Sequence, residues 1–331
     1  MNRKLGVALV GLGTYSEEQL GPALKVTEHC HLTGIVTSHS NKAEKWKKEY
    51  NLSPGNIYTY DNFDEVRNNN EIDIVYVVLP NSLHADFVRR AAAAGKHIIC
   101  ERPMDVSVEK CEQMIAACEK AGVLLSIGYR LHFEPHNLAV MQLHKTGKYG
   151  KIKRIIAEHG QEVPDNVWRI NKELAGGGPL MDMGIYCVQG AIYAAGEDPI
   201  AVKAKEGIKI KPEKFIGVEE SLFWTMEFAS GIIAECKTSY SETQNCLRVE
   251  CENGWMELQP AFGYSGIKGK CSDGELNYPE INQQAVQMDD FAVCVKENKK
   301  SRVPGEMGLR DVKILNAIYQ SMHSGERVEL K

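Results

Sequence analysis

No apolar run in the sequence is long enough to cross a bilayer, so no membrane-spanning helix is expected. The ten cysteines form no C-x-x-C pair and follow no regular spacing. That argues against a disulfide scaffold or a zinc module and points to reduced thiols in the cytosol. Excess positive charge is missing too. The formal net charge is -5 and the pI is near 6.1, which gives nucleic-acid binding no support. Lysines such as Lys42, Lys45, Lys47 and Lys48 read instead as a solvated helical face. There is no internal repeat and no low-complexity tract. The opening M-N-R-K-L-G-V-A-L-V-G starts basic but breaks at glycines without a small-residue cleavage site, and it reads as a first strand rather than an export signal. A cytoplasmic protein with no membrane or nucleic-acid partner is the resulting expectation.

What remains is an ordinary globular composition, 43% hydrophobic and 25% charged, spread over 331 residues. A chain of that length exceeds what one core usually organises, so two domains are expected. In the first third, short apolar runs alternate with helical segments. The runs are Leu5 to Val10, Leu32 to Thr37, Ile57 to Thr59, Asp73 to Leu79, His97 to Cys100 and Leu124 to Ile127. This pattern predicts a doubly wound parallel sheet buried on both faces. Beyond Tyr129 the rhythm changes to longer strands, with Ser230-Gly231 and Asn253-Gly254 as hairpin turns. The expectation is an α/β domain over residues 1–128 and an α+β domain over 129–331 with a large, mostly antiparallel open sheet.

Gly11-Leu12-Gly13-Thr14-Tyr15-Ser16 follows the first strand and has the form G-x-G-x-x-S. Two glycines there permit a tight turn and close approach to a pyrophosphate, while the third position needs only to be small. A plain turn would also explain the glycine pair, but its place behind the first of six strands favours a dinucleotide. NAD-selective folds carry an acid about 20 residues further on. Here the second strand ends Val36-Thr37-Ser38-His39-Ser40-Asn41-Lys42, with no carboxylate at its tip. Those residues also suit a capped turn, and they tolerate a 2′-phosphate. NADP is favoured over NAD.

Three polar groups fall at later strand ends: Leu79-Pro80-Asn81-Ser82-Leu83-His84, Glu101-Arg102-Pro103 and Gly128-Tyr129-Arg130. Asn81 or Ser82 could simply cap a helix, and Glu101 could pair with Arg102 or Arg130. Ligands of open α/β sheets nevertheless bind outside the carboxyl ends of the strands. In the second half, Trp168-Arg169 precede Gly176-Gly177-Gly178-Pro179, after which Asp182 and Tyr186 lie four residues apart. On a helix opened by Pro179 they share one face. A carboxylate beside a phenol, behind three mobile glycines, can serve a sugar hydroxyl; a surface Asp and a core Tyr would show the same spacing. Specificity is expected from the loop 160–178 and from a sheet face around Trp224, Tyr240 and Tyr264. His29 with His31, and His132 with His136, lack a third and fourth ligand, so no metal is expected.

With G-L-G-T-Y at 11–15, L-P-N-S-L-H at 79–84, E-R-P-M at 101–104, G-Y-R-L-H-F-E-P at 128–135, G-G-G-P-L-M-D-M-G-I-Y at 176–186 and G-L-R-D-V at 308–312, the chain resembles the glucose-fructose oxidoreductase, inositol dehydrogenase and rhizopine-catabolism family of NAD(P)-dependent oxidoreductases. The resemblance spans nearly the whole chain and is nearest to the glucose-fructose oxidoreductase branch. It implies a Rossmann domain, then a substrate and oligomerisation domain whose open sheet face makes homodimer or homotetramer contacts. It also implies a sugar or cyclic polyol as substrate. By the same resemblance Gly11, Leu12, Gly13, Thr14, Tyr15, Ser38, His39, Lys42, Leu79, Pro80, Asn81, Leu83, His84, Glu101, Arg102, Arg130, Trp168 and Arg169 line the nicotinamide cofactor. Asp182 and Tyr186 face the substrate, and Arg102 joins them as a catalytic residue.

One departure stands out. The family places lysine where Arg102 stands, as a candidate proton relay. Guanidinium keeps its proton, so Arg102 can stabilise an alkoxide or hold a carboxylate but cannot be the base. Three outcomes stay open: Tyr186, acidified by Arg102, carries the proton with Asp182 orienting it; the enzyme is slow or takes an anionic substrate; or the chain is an NADP-binding sensor that has lost turnover.

Overall fold

The computed structural model describes residues 3–330, which divide into two compact units: 3–130 with Asn282–Leu309, and Leu131–Ile281 with 310–330. In the first unit, β1 (Leu5–Val10), β2 (Cys30–Val36), β3 (Ile57–Tyr58), β4 (Ile74–Val77), β5 (His97–Cys100) and β6 (Leu125–Ile127) form one sheet. Its order is β3-β2-β1-β4-β5-β6, and every pairing is parallel. All of β1 and all of β4 are buried, the signature of a sheet covered on both faces. The strand order reverses between β1 and β4, the switch point at which such sheets take ligands. Local chemistry sets the helix ends. Ser107 accepts from Lys110 N at the start of Val108–Ala121, and Gly122, at φ 67, ends it.

The expected division put everything after residue 128 in one domain, whereas Asn282–Leu309 returns to the first unit. Packing explains the return. Ala285, Met288, Phe291 and Ala292 of the helix Gln283–Glu297 join Leu5, Val7, Leu9 and Leu32 in one core. Asp289 on the same helix accepts from the main-chain N–H groups of Glu28 and His29, at 2.8 and 2.7 Å.

The second unit carries a nine-stranded sheet of β7 (Ile152–Gly160), β8 (Pro199–Glu206), β9 (Ser221–Phe228), β10 (Ile233–Ser239), β11 (Gln244–Cys251), β12 (Gly254–Leu258), β13 (Gly269–Cys271), β14 (Gly274–Leu276) and β15 (Val328–Glu329). Their order is β14-β13-β12-β11-β7-β10-β9-β8-β15. Among the described residues one pairing is parallel, β7 with β10; the rest are antiparallel. The helix Ile185–Ala195 lies on one face, against β7, β10 and β11, and every residue of it is buried. Among the described residues no helix is long and apolar enough to cross a membrane.

The glycine run ahead of that helix is packed, which corrects the expectation of a mobile segment. A Cβ on Gly177 would stand 1.9 Å from the Tyr319 hydroxyl, and one on Gly178 would stand 2.3 Å from the Glu219 main-chain oxygen. The Glu219 carboxylate accepts from Gly178 N at 2.9 Å, Leu180 N at 3.1 Å and the Tyr319 hydroxyl at 2.8 Å. It thereby satisfies donors at the amino end of the helix, where negative charge is favoured. Burial pushes this carboxyl above the ordinary glutamate range, against the pull of its donors.

Glu219→Ala strands two buried N–H groups and a phenol, so it is expected to lower stability by about 3 kcal/mol. A folded pKa above the unfolded one makes the contribution complete at acid pH and lost as pH rises through the folded value. Urea unfolding across a pH series should therefore show the wild type's advantage narrowing upward.

Candidate active site

In the first unit the site begins where β1 ends. Gly11 sits at φ 96, and a Cβ there would lie 2.4 Å from the Val78 carbonyl oxygen, so this glycine is demanded by the protein's own chain. Ser16, fully buried, donates to Gly11 O at 2.7 Å and closes the loop, which is why a small residue serves at the third position. Gly13 differs: a Cβ there would meet no protein atom within 4 Å. The chain itself leaves the space beside it open, as a pyrophosphate lying against the main chain would need. Leu12 is buried, Thr14 exposed, and Tyr15 half-buried against the core. Ser38 and His39 stand exposed at the tip of β2, with no acid before Glu44. Lys42 Nζ donates to Leu12 O at 2.6 Å, bracing the glycine loop from the next helix. These residues fit a dinucleotide.

Behind β4, Leu79 and Asn81 are buried, Pro80 is half-buried and Leu83 is exposed. His84 is fully enclosed. Its Nε2 lies 2.8 Å from Leu79 O, and its Nδ1 lies 3.0 Å from Pro103 O. Burial pushes its imidazole pKa down, against the pull of the carbonyls, Asp105 and Glu101. The ring ties the β4 exit to the β5 exit, a holding role rather than an open binding surface.

Glu101 is the node of the β5 exit. Tyr76 donates to its Oε1 at 2.7 Å, and Arg102 N to its Oε2 at 3.2 Å; the Arg102 Nε stands 3.9 Å from Oε2. Burial, and then the Glu101 charge, push the Tyr76 phenol well above its ordinary range, so it stays a donor. A Cβ on Gly128 would come within 2.6 Å of the same carboxylate, which explains the glycine there. Arg130 is buried and donates to the Gln283 side chain. A pair as enclosed as Glu101–Arg102 adds little net stability, so its consequence is orientation.

In the second unit, Asp182 and Tyr186 follow Pro179 as expected, but the first turn, Leu180–Gly184, is wound more widely than an α-helix. A four-residue step falls just short of a full wide turn, so both side chains stay on one side. Asp182 Oδ2 receives Arg169 Nε at 3.0 Å and the Tyr240 hydroxyl at 3.3 Å. The Arg169 guanidinium lies over the Trp168 ring at 4.8 Å. Tyr186 meets His159 edge-on, with ring centres 5.3 Å apart, and a tilted Phe262 at 6.0 Å. His159 belongs to β7 and Tyr240 follows β10, the two strands paired in parallel with Thr238 opposite His159. His159 and Phe262 carried no sequence signal, because no spacing rule joins them to Tyr186.

The expected specificity face changes. Trp224 is core, since a Cβ on Gly184 would lie 3.2 Å from its ring; of the expected sheet-face trio only Tyr264 is exposed, Tyr240 being buried. The histidines weighed as ligands have separate partners: His31 meets Thr33 Oγ1 at 3.2 Å, His132 meets Gln189 at 2.7 Å and His136 meets Glu134 at 2.7 Å. Among the described residues no three His, Cys, Asp or Glu side chains group as metal ligands.

A family model described as an oxidoreductase family with an NAD-binding Rossmann fold matches residues 5–129, and a GFO/IDH/MocA C-terminal domain model matches 137–257. Among curated proteins, the NADP(+) D-xylose 1-dehydrogenase of Haloarcula marismortui is 28% identical over 98% of this chain and 92% of that protein. D-glucoside 3-dehydrogenase of Escherichia coli is 27% identical over 98% of this chain and 97% of its own. Among solved structures, the aldose-aldose oxidoreductase from Caulobacter crescentus complexed with glycerol is 38% identical and superimposes with a TM-score of 0.96, covering 99% of this chain and 100% of that one.

The two glycines make separable predictions. Gly13→Ala should melt within about 1 °C of the wild type yet bind the dinucleotide at least about tenfold more weakly by calorimetry, since its Cβ fills space the chain itself leaves open. Gly11→Ala should lower the melting temperature outright, through its clash and its left-handed backbone.

Proposed function

The chain belongs to the GFO/IDH/MocA oxidoreductase family, and on that premise we propose that it moves hydride between NADP and the anomeric carbon of a neutral aldose, with a second aldose as the eventual hydride acceptor. The observation that carries this reading is the helix bearing Asp182, held by Arg169 at 3.0 Å, and Tyr186, in a chain that matches NADP sugar dehydrogenases over its whole length. The acid-free tip of β2, with Ser38 and His39 exposed, supports the phosphorylated coenzyme. We assign the first unit to the coenzyme and the second to the sugar.

When bound, nicotinamide supplies the hydride acceptor or donor. The protein must then manage one proton: as the C1–H bond gives up hydride, the O1–H bond gives up its proton and a lactone carbonyl forms. Arg102 keeps its proton at every working pH, so the exchange falls to Tyr186. Asp182 accepts from a neighbouring sugar hydroxyl and orients the ring. The guanidinium groups of Arg102 and Arg169 are each balanced by a carboxylate, Glu101 and Asp182, which favours a neutral sugar over an anionic one. The open face of the nine-stranded sheet, where Phe223 and Ile233 stand exposed, suits a homo-oligomer contact. Ten free thiols suit a reducing cytoplasm.

The test is D-xylose in excess over a small amount of NADP. Lactone and xylitol should accumulate in equal amounts, far beyond the coenzyme present. Tyr186→Phe should lose at least about a hundredfold in kcat while its affinity for NADP holds. If the wild type binds NADP but turns over no aldose or polyol at any pH, the sensor reading prompted by Arg102 replaces this one.

A further inference from the structure

Two donors meet on a single oxygen of Asp182. Arg169 Nε and the Tyr240 hydroxyl both reach Oδ2, from two segments far apart in the chain. Both segments are set in one small core. Val163, Met183, Phe215, Val218 and Tyr240 pack together, with Val167 and Ile170 against them, so the loop carrying Arg169, the strand exit carrying Tyr240 and the neighbour of Asp182 share neighbours. Phe215 stacks on the Tyr240 ring at 6.1 Å with 22° between planes, and Tyr240 is 1% exposed. The ring is held on both counts. Burial, with the Asp182 charge as second cause, pushes the Tyr240 phenol well above its ordinary range, so it remains a donor through neutral pH. Other charged or titratable groups that act on Tyr240 include Arg169, Glu219 and Tyr319, the last bonded to Glu219 at 2.8 Å.

We propose that Tyr240 is a positioning residue for the sugar reaction: with Arg169 it holds the Asp182 carboxylate in one plane and in its ionised form, ready to accept from a sugar hydroxyl. The inference rests on Asp182 facing the sugar, and it adds a residue that never touches substrate. A donor favours the charged form of the carboxylate it serves, so losing the phenol makes Asp182 easier to protonate. A hydrogen bond to a charged group is also worth enough to change a rate visibly.

The test compares the NADP-loaded wild type with Tyr240→Phe, which keeps the ring and its stack on Phe215. With D-xylose, kcat/KM should fall about tenfold, and the acid limb of its pH profile should move to higher pH. Melting temperature and NADP affinity should hold. Carbon-13 NMR of labelled aspartate, with Asp182 assigned through Asp182→Asn, should show that carboxyl titrating at higher pH in the variant. Superimposable titrations and acid limbs overturn the proposal, as does loss of the fold, which would make the hydroxyl a stability device. If the wild type turns over no sugar, the functional reading fails, while the NMR comparison still decides what Tyr240 does to Asp182.

Discussion

Parallel strand pairing is the constraint from which the candidate site follows. Strands paired in parallel deliver the residues that follow them to one common edge, where no turn closes the ladder and main-chain and side-chain groups are left for a ligand. In the first unit six strands do this, and Gly11, the Leu79–His84 segment, Glu101 with Arg102, and Arg130 all follow strand ends. In the second unit the sheet is antiparallel except for β7 with β10, and that pair brings His159 and Tyr240 to the same end.

Close packing then removes freedom from these groups. Glu219 bonds the helix start, Gly177 and Gly178 leave no space for a side chain, and the small core around Phe215 and Tyr240 fixes the neighbours of Asp182. His84 does comparable work in the first unit by bridging two strand exits. Such restraint is what an oxidoreductase needs from its protein part. The coenzyme supplies the difficult chemistry, and the chain contributes orientation and proton handling.

The charge arrangement narrows the chemistry further. Glu101 is surrounded by donors and stands beside Arg102, and Asp182 is held by Arg169. Neither guanidinium is an isolated cation offered to an acid. Replacing a lysine by Arg102 removes a group whose pKa burial can lower and installs one that stays charged. The phenol of Tyr186 packs against the His159 ring and Phe262, which also meet each other.

The fold of the first unit was legible because buried parallel strands must be apolar throughout, and runs such as Leu5–Val10 and Ile74–Val77 have that property. The larger sheet was only partly legible. β8 starts at Pro199 and alternates with Lys203 and Lys205, so it reads as polar chain, while β13, β14 and β15 are too short to show a period. Local spacing also determined the glycine loop, the acid-free tip of β2 and the shared side of Asp182 and Tyr186, since each needs only a few consecutive residues. Tertiary structure alone decided that Arg169 and Tyr240 converge on Asp182, that His159 and Phe262 meet Tyr186, and that the helix Gln283–Glu297 returns to the first unit. Those contacts join segments tens to hundreds of residues apart. Nothing within one segment encodes them, because they arise only when separate apolar faces close over a common core.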